Sequence, residues 1–153
     1  MRFIDEAIIE ISSGDGGNGC LSFRREKFIP KGGPDGGDGG KGGDISFIAK
    51  ESLQTLQDFK LKRKYKAQNG FQGKGKNMHG KDGEDTTLKV PLGTMLINDE
   101  TNELLCDLKT SNQAYTALKG GKGGLGNARF ISSTNRAPRK TTEGFQGESL
   151  KLR

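Results

Sequence analysis

Two stretches of this 153-residue chain come close to a phosphate-binding loop, and both miss it. Such a loop needs G-x-x-x-x-G-K-[ST], in which backbone N–H groups cradle phosphates and a hydroxyl holds Mg²⁺ where a helix begins. Gly70 to Asn77 reads G-x-x-x-x-G-K-N, and Gly75 to Asp82 reads G-x-x-x-x-G-K-D. Neither has the hydroxyl, and neither runs into a helical pattern. The chain is therefore not expected to bind or hydrolyse a nucleoside triphosphate by itself. Gly39 to Asp44 fits the six letters of a G-G-x-G-x-D calcium repeat. Ser46 takes the apolar position that should follow, no tandem copy exists, and Lys41 sits inside the run. Asp15, Asp35 and Asp38 then read as partners for water or backbone amides. His79 is the single histidine, too little for a histidine-based metal site. No catalytic residue, metal or cofactor is expected within this chain.

Binding remains. The net charge is +6, which favours polyanionic partners. The charge is also segregated. Residues 60–81 carry Lys60, Lys62, Arg63, Lys64, Lys66, Lys74, Lys76 and Lys81 without an acid. Residues 119–142 carry Lys119, Lys122, Arg129, Arg136, Arg139 and Lys140, again without one, whereas 98–107 holds only acids. Basic groups thus sit on three glycine-rich loops: Arg24, Arg25, Lys27 and Lys31; Lys74, Lys76 and Lys81; Arg136, Arg139 and Lys140. Brought together, they would form one positive surface for phosphates, with arginine suited to bidentate contact and stacking. Phe71 and His79 could stack on bases. No recognition-helix pattern is present, so folded RNA is expected rather than duplex DNA.

What must position those loops is glycine. Gly33, Gly36, Gly39 and Gly42 repeat every third residue, as do Gly120, Gly123 and Gly126, and Gly14 with Gly17. Three residues per turn is the polyproline II period, whose backbone bonds only to water or neighbours. Glycine on one face lets such backbones touch. Collagen is excluded, because the period is not continuous and there are only four prolines. The reading is a stiff, side-chain-poor bundle in which these glycines are architecture.

Around the runs lie short strand patterns. Ala7, Ile9 and Ile11 share a face, as do Ile45, Phe47 and Ala49, and Leu88 with Val90. A short strand or loop edge is expected at 20–27. Met95–Ile97 and Leu104–Cys106 flank NDETNE as a hairpin, and 114–118 and Ser149–Leu152 read as further strands. Residues 53–61 have an ambiguous helical step, and 69–85 read as one long polar loop. The expected class is all-β, a barrel or sandwich, in one domain spanning 1–153. Only 30% of residues are hydrophobic, so the ordinary core is small. Cys20 and Cys106 read as free thiols in a reducing compartment. The charged start is unlike a secretory signal, and no apolar run could span a bilayer, so the cytoplasm is expected.

These residues support a resemblance. GDGGNGCLSFRREKFIPKGGPDGGDGGKGGD (14–44), KVPLGT (89–94), KGGKGGLGNARF (119–130) and SSTNRAPR (132–139) resemble the N-terminal glycine-rich domain of the Obg family of bacterial GTPases. The likeness covers essentially the whole chain. It implies a small β-barrel from which glycine-rich type II helices project, followed after residue 153 by a P-loop GTPase domain. GTP, GDP and Mg²⁺ would belong to that domain. It further implies action on the large ribosomal subunit and its rRNA, in late assembly, in control of subunit joining and in stress response. The domain is expected to act as a monomer. Lys27, Lys31, Lys74, Lys76, Lys81, Arg136 and Arg139 are the residues on which that role would fall first. A rival reading is a protein-interaction scaffold that docks stress-response proteins or the parent GTPase domain.

Overall fold

Alternation decides where the strands lie. In the computed structural model, which describes residues 6–23, 32–53, 55–132 and 138–152, the strand face Ile45, Phe47 and Ala49 is fully buried. Strand β1 is Ile9–Ser12, β2 is Ile45–Lys50, β3 is Lys64–Lys66 and β4 is Thr86–Pro91. Strand β5 is Thr94–Ile97, β6 is Leu104–Leu108, β7 is Ala114–Leu118 and β8 is Ser149–Leu152. One sheet has the order β3-β1-β8, a second β4-β2-β7, and β5 pairs with β6. Register follows the apolar faces: Phe47 lies opposite Leu88, and Ala49 opposite Val90. These residues meet Ile9, Ile11, Leu96, Leu108 and Leu118 in one core. The ambiguous stretch before β3 becomes a five-residue helix, α1 (Gln57–Leu61), which buries Phe59 in that core.

The chain is mostly strand with almost no helix. Among the described residues the strand ladders form three open sheets and close no ring. Of the short strand or loop edge expected at 20–27, the described residues show one bridge, between Phe23 and Pro34, and residues 24–27 lie outside the described ones.

The glycine runs form the rest of the molecule. Segments 13–20, 35–44, 67–74, 78–85, 119–126 and 140–148 are extended and carry no strand or helix. Their hydrogen bonds run between segments and recur every third residue. Gly14, Gly17 and Cys20 donate to the carbonyls of Gly43, Gly40 and Gly37. Gly37, Gly40 and Gly43 donate in turn to Lys74, Phe71 and Gln68. Gly121, Gly124 and Asn127 donate to Gly14, Gly17 and Cys20. This step is that of polyproline II, and Gly126 has its dihedrals, φ −74 and ψ 162. Segments 13–20 and 35–44 are central, and the other four pack around them.

The side chains between glycines finish the hydrogen bonding. Asp15 Oδ1 accepts from Gly147 N–H at 2.7 Å and Asn18 Oδ1 from Gly144 at 2.9 Å. Asp38 Oδ1 accepts from Gly126 at 2.9 Å and Asp44 Oδ1 from Gly120 at 2.7 Å. Outward side chains of the two central segments thus cap N–H groups of their neighbours.

Residues 69–85 are therefore not a loop. Gly70 and Gly73 donate to Asp15 and Asn18, while Gly80 and Gly83 donate to Asp38 and Lys41. The stretch is two extended arms joined by a tight turn at Gly75–Asn77. Lys76 and Asn77 take positive φ there, 61° and 55°.

Candidate nucleic-acid interface

Four stretches of the chain meet at the end of the bundle away from the sheets. Segment 13–20 runs on to Leu21, Ser22 and Phe23, and segment 35–44 begins at Asp35. The arm turn contributes Gly75 and Lys76, and segment 140–148 is entered through Arg139. These residues line one open cleft of about 520 Å³. Backbone bonds lock the convergence. Asp35 N–H donates to Ser22 O at 3.0 Å and Asn77 N–H to Asp35 O at 2.7 Å.

Asn127 holds the cleft from beneath. It is wholly buried. Its Oδ1 accepts from Gly36 N–H at 2.9 Å, and its Nδ2 donates to Ser22 O at 2.9 Å and Pro138 O at 3.1 Å. One amide thereby ties three chain segments together at the root of the turns.

The structure sorts the expected binding residues. Lys76 and Arg139 share the cleft, both exposed. The Arg139 guanidinium lies 5.3 Å from the centre of the Phe23 ring. Lys140 is exposed beside them, its Nζ 5.1 Å over the Phe130 ring. Lys74 is exposed directly before the turn. Lys81 is exposed too, but sits three residues down the outer arm from Met78, about 9 Å along it at 3.1 Å per residue. Arg24, Arg25, Lys27, Lys31 and Arg136 lie outside the described residues. His79 is exposed, yet its Nδ1 accepts the Asp38 N–H at 3.1 Å, so that nitrogen is committed to the bundle. Of the glycines, Gly36 would drive a Cβ into the Cys20 carbonyl and Gly123 into that of Gly39. A Cβ at Gly33 would meet nothing within 4 Å among the described residues.

Electrostatics favour anions at this end. Arg129 is bound by Asp38, Nη2 to Oδ2 at 2.8 Å, while Lys76, Arg139 and Lys140 take part in no ion pair among the described residues. Burial pushes the Asp38 carboxyl up, but the Gly126 N–H, Arg129 and His79 outweigh it and hold it below the ordinary value of 3.8. Asp44 is lowered in the same way: burial raises it, and the hydrogen bonds from Lys41 and Gly120 with the charge of Lys119 prevail.

Neither near-miss P-loop fits a triphosphate. The N–H groups of Gly70, Gly73 and Lys74 are spent on Asp15, Asn18 and Met78, and those of Asn77 and Gly80 on Asp35 and Asp38. An N–H cradle for phosphate needs those donors free. Among the described residues no group of three His, Cys, Asp or Glu is gathered as metal ligands. No described helix is long and apolar enough to cross a membrane.

Sequence reasoning missed Ser22, Asp35, Phe23 and Asn127 as parts of this cleft. Asn127 had a visible signal: it directly follows Gly126, the last of three glycines in step. The other three are brought together only by tertiary structure.

The GTP1/OBG family model matches residues 4–153. The chain is 59% identical over 153 residues to the GTPase Obg of Caldanaerobacter subterraneus, covering 100% of this chain and 36% of that protein. It is 54% identical over 153 residues to the GTPase Obg of a Psychrobacter species, covering 100% of this chain and 38% of the relative. With the GTPase Obg of Syntrophobacter fumaroxidans the identity is 52% over 152 residues, 99% of this chain and 44% of the relative. The chain thus spans less than half the length of these relatives and matches their N-terminal part. With the family model matched along nearly its full length, this glycine-rich chain belongs to the GTP1/OBG family.

Proposed function

We propose that this chain is the ribosome-binding arm of an Obg-type GTPase, docking a GTP-controlled protein on rRNA of the large subunit. The observation that carries this is the convergence of four stretches of chain on one cleft at the end of a hydrogen-bonded rod. Segment 35–44 alone is about 28 Å long at 3.1 Å per residue. A rod of that reach can enter a groove of folded RNA where a globular domain cannot. Phosphate contacts from Lys76, Arg139 and Lys140 would position the rod, joined by Lys74 and Lys81 along the arm. Arg24, Arg25, Lys27, Lys31 and Arg136, outside the described residues, are proposed as further phosphate contacts. The three sheets serve as its base, in this reading a small β-barrel.

By itself the chain is a binding module and not an enzyme. GTP, GDP and Mg²⁺ would be held elsewhere in the parent protein, which would act in the cytoplasm in large-subunit assembly, subunit joining and stress response. The two near-miss loops spend the N–H groups of Gly70, Gly73, Lys74, Asn77 and Gly80 within the bundle, which supports placing the nucleotide elsewhere.

The test is binding to purified large ribosomal subunits. Lys76→Ala with Arg139→Ala is expected to weaken binding at least tenfold, on the scale of ~1 kcal/mol or more per charge-assisted contact. Unchanged affinity in the double variant would overturn the cleft as the contact surface. Salt-insensitive association with a protein and none with subunits would favour a scaffold instead.

A further inference from the structure

Two rungs of the rod repeat the same chemistry. On one flank the Phe71 N–H donates to the Lys81 carbonyl at 2.8 Å, and the Phe71 carbonyl accepts the Gly40 N–H at 2.8 Å. On another the Phe145 N–H donates to the Lys122 carbonyl at 2.9 Å, and the Phe145 carbonyl accepts the Gly16 N–H at 2.9 Å. The rungs stand at one level of the rod. Gly16 bonds the Phe145 carbonyl, and a Cβ at its neighbour Gly17 would strike the Phe71 carbonyl. An open groove over residues 15–18 separates the two arms. Its described lining holds Asp15 and Glu143 and no base, so a polyanion is left to the flanks. Phe71 is 46% exposed and Phe145 65%. Lys81 and Lys122 are exposed and take part in no ion pair among the described residues. A single exposed phenylalanine says little. Two of them, bonded alike and each set against a free lysine, form a pattern.

We propose that these rungs are a second RNA-contact surface, where unpaired nucleotides on two walls of folded RNA stack on Phe71 and Phe145. Lys81 and Lys122 would meet their phosphates. Each rung offers what an unpaired nucleotide needs, an aromatic ring for the base and a cation for the phosphate. Backbone bonds on both sides of each phenylalanine hold it in place, so binding has less chain to order. The free lysines favour RNA over an apolar protein face, which would strip water from two cations without replacing it. The rungs lie about 15 Å behind the cleft, counted from Asp35 to Gly40 at 3.1 Å per residue. Contact there means that RNA surrounds the rod to at least that depth.

The inference rests on the RNA-binding reading, and its test separates the two. Affinity for purified large ribosomal subunits would be measured over a range of salt concentrations. Phe71→Ala with Phe145→Ala is expected to weaken binding roughly tenfold or more, the scale of lost base stacking. The salt slope should stay as in the wild type, because no cation is removed. Tyrosine at both positions should keep the affinity. Lys81→Ala with Lys122→Ala should flatten the slope by about 1.4, at ~0.7 per contact. Full affinity in the double alanine variant of the phenylalanines, with binding lost in Lys76→Ala/Arg139→Ala, would overturn the inference and leave the wider reading standing. Binding lost with alanine and not kept with tyrosine would assign the rings to apolar packing on a protein, and would overturn it too. Full binding by the phenylalanine and cleft variants alike would sink both readings.

Discussion

Asn127 presents no surface, yet it ties together the chain segments beneath the cleft. Replacing it with alanine strands the Gly36 N–H and the carbonyls of Ser22 and Pro138. Asn127→Ala is expected to lower stability by about 2–4 kcal/mol, read as a fall in melting temperature. Asp38 and Asp44 carry a second expectation. Both carboxyls titrate below 3.8 in the fold and near it in the unfolded chain. Their stabilisation is therefore complete above that value and is lost as pH falls below it, through their folded values. Melting temperature should drop steeply on going from about pH 5 to about pH 2, and Asp38→Asn should flatten the drop. An unaltered pH profile in that variant would remove Asp38 from the cause. At this scale the sequence was legible by residue type alone. Lys76 and Arg139 stand out as bases on glycine-rich stretches. Asp35 and Ser22 do not, because their roles depend on turns that are far apart along the chain and close only in space.

The extended segments explain the abundance of glycine. Among the described residues Gly93 is the one glycine with positive φ, 82°. The others are not glycine for the sake of left-handed backbone; most lack a side chain because a neighbouring carbonyl occupies its place, Gly33 and Gly75 being exceptions. Gly36→Val is expected to cost at least about 3 kcal/mol, the upper range for overpacking a fixed core. Gly33→Ala should be nearly neutral, since nothing described lies within 4 Å of the added carbon. Equal melting temperatures for the two variants would contradict close packing as the reason for the repeat. The period was plain in 33–42 and 120–126. It was hidden at Gly70 and Gly73, Gly80 and Gly83, and Gly144 and Gly147, where each piece holds only two glycines among polar residues. Read alone, such a stretch looks like a loop. Strand β3 was missed for another reason: Tyr65 is the only apolar residue between two exposed lysines, too little for an alternation signal. The core strands were legible because β2 and β4 each bury one face only.

At the scale of the molecule, structure and charge are divided by position. The sheets hold the apolar core, the glycine segments extend away from it, and Lys76 and Arg139 stand at the far cleft. The segregation of lysine and arginine along the chain already suggested a polyanion. What the sequence could not show was that Lys76 and Arg139, 63 positions apart by their numbers, border one cleft. If that cleft docks the rod on rRNA, its cations displace counterions from phosphates, and affinity must fall with salt in proportion to the contacts made. The most direct measurement is the slope of log affinity against log salt for large ribosomal subunits, wild type against Lys76→Ala/Arg139→Ala. Two lost phosphate contacts should flatten the slope by about 1.4, at ~0.7 per contact with single-stranded nucleic acid. An identical slope in both proteins would contradict the basic cleft as the place where this chain meets RNA.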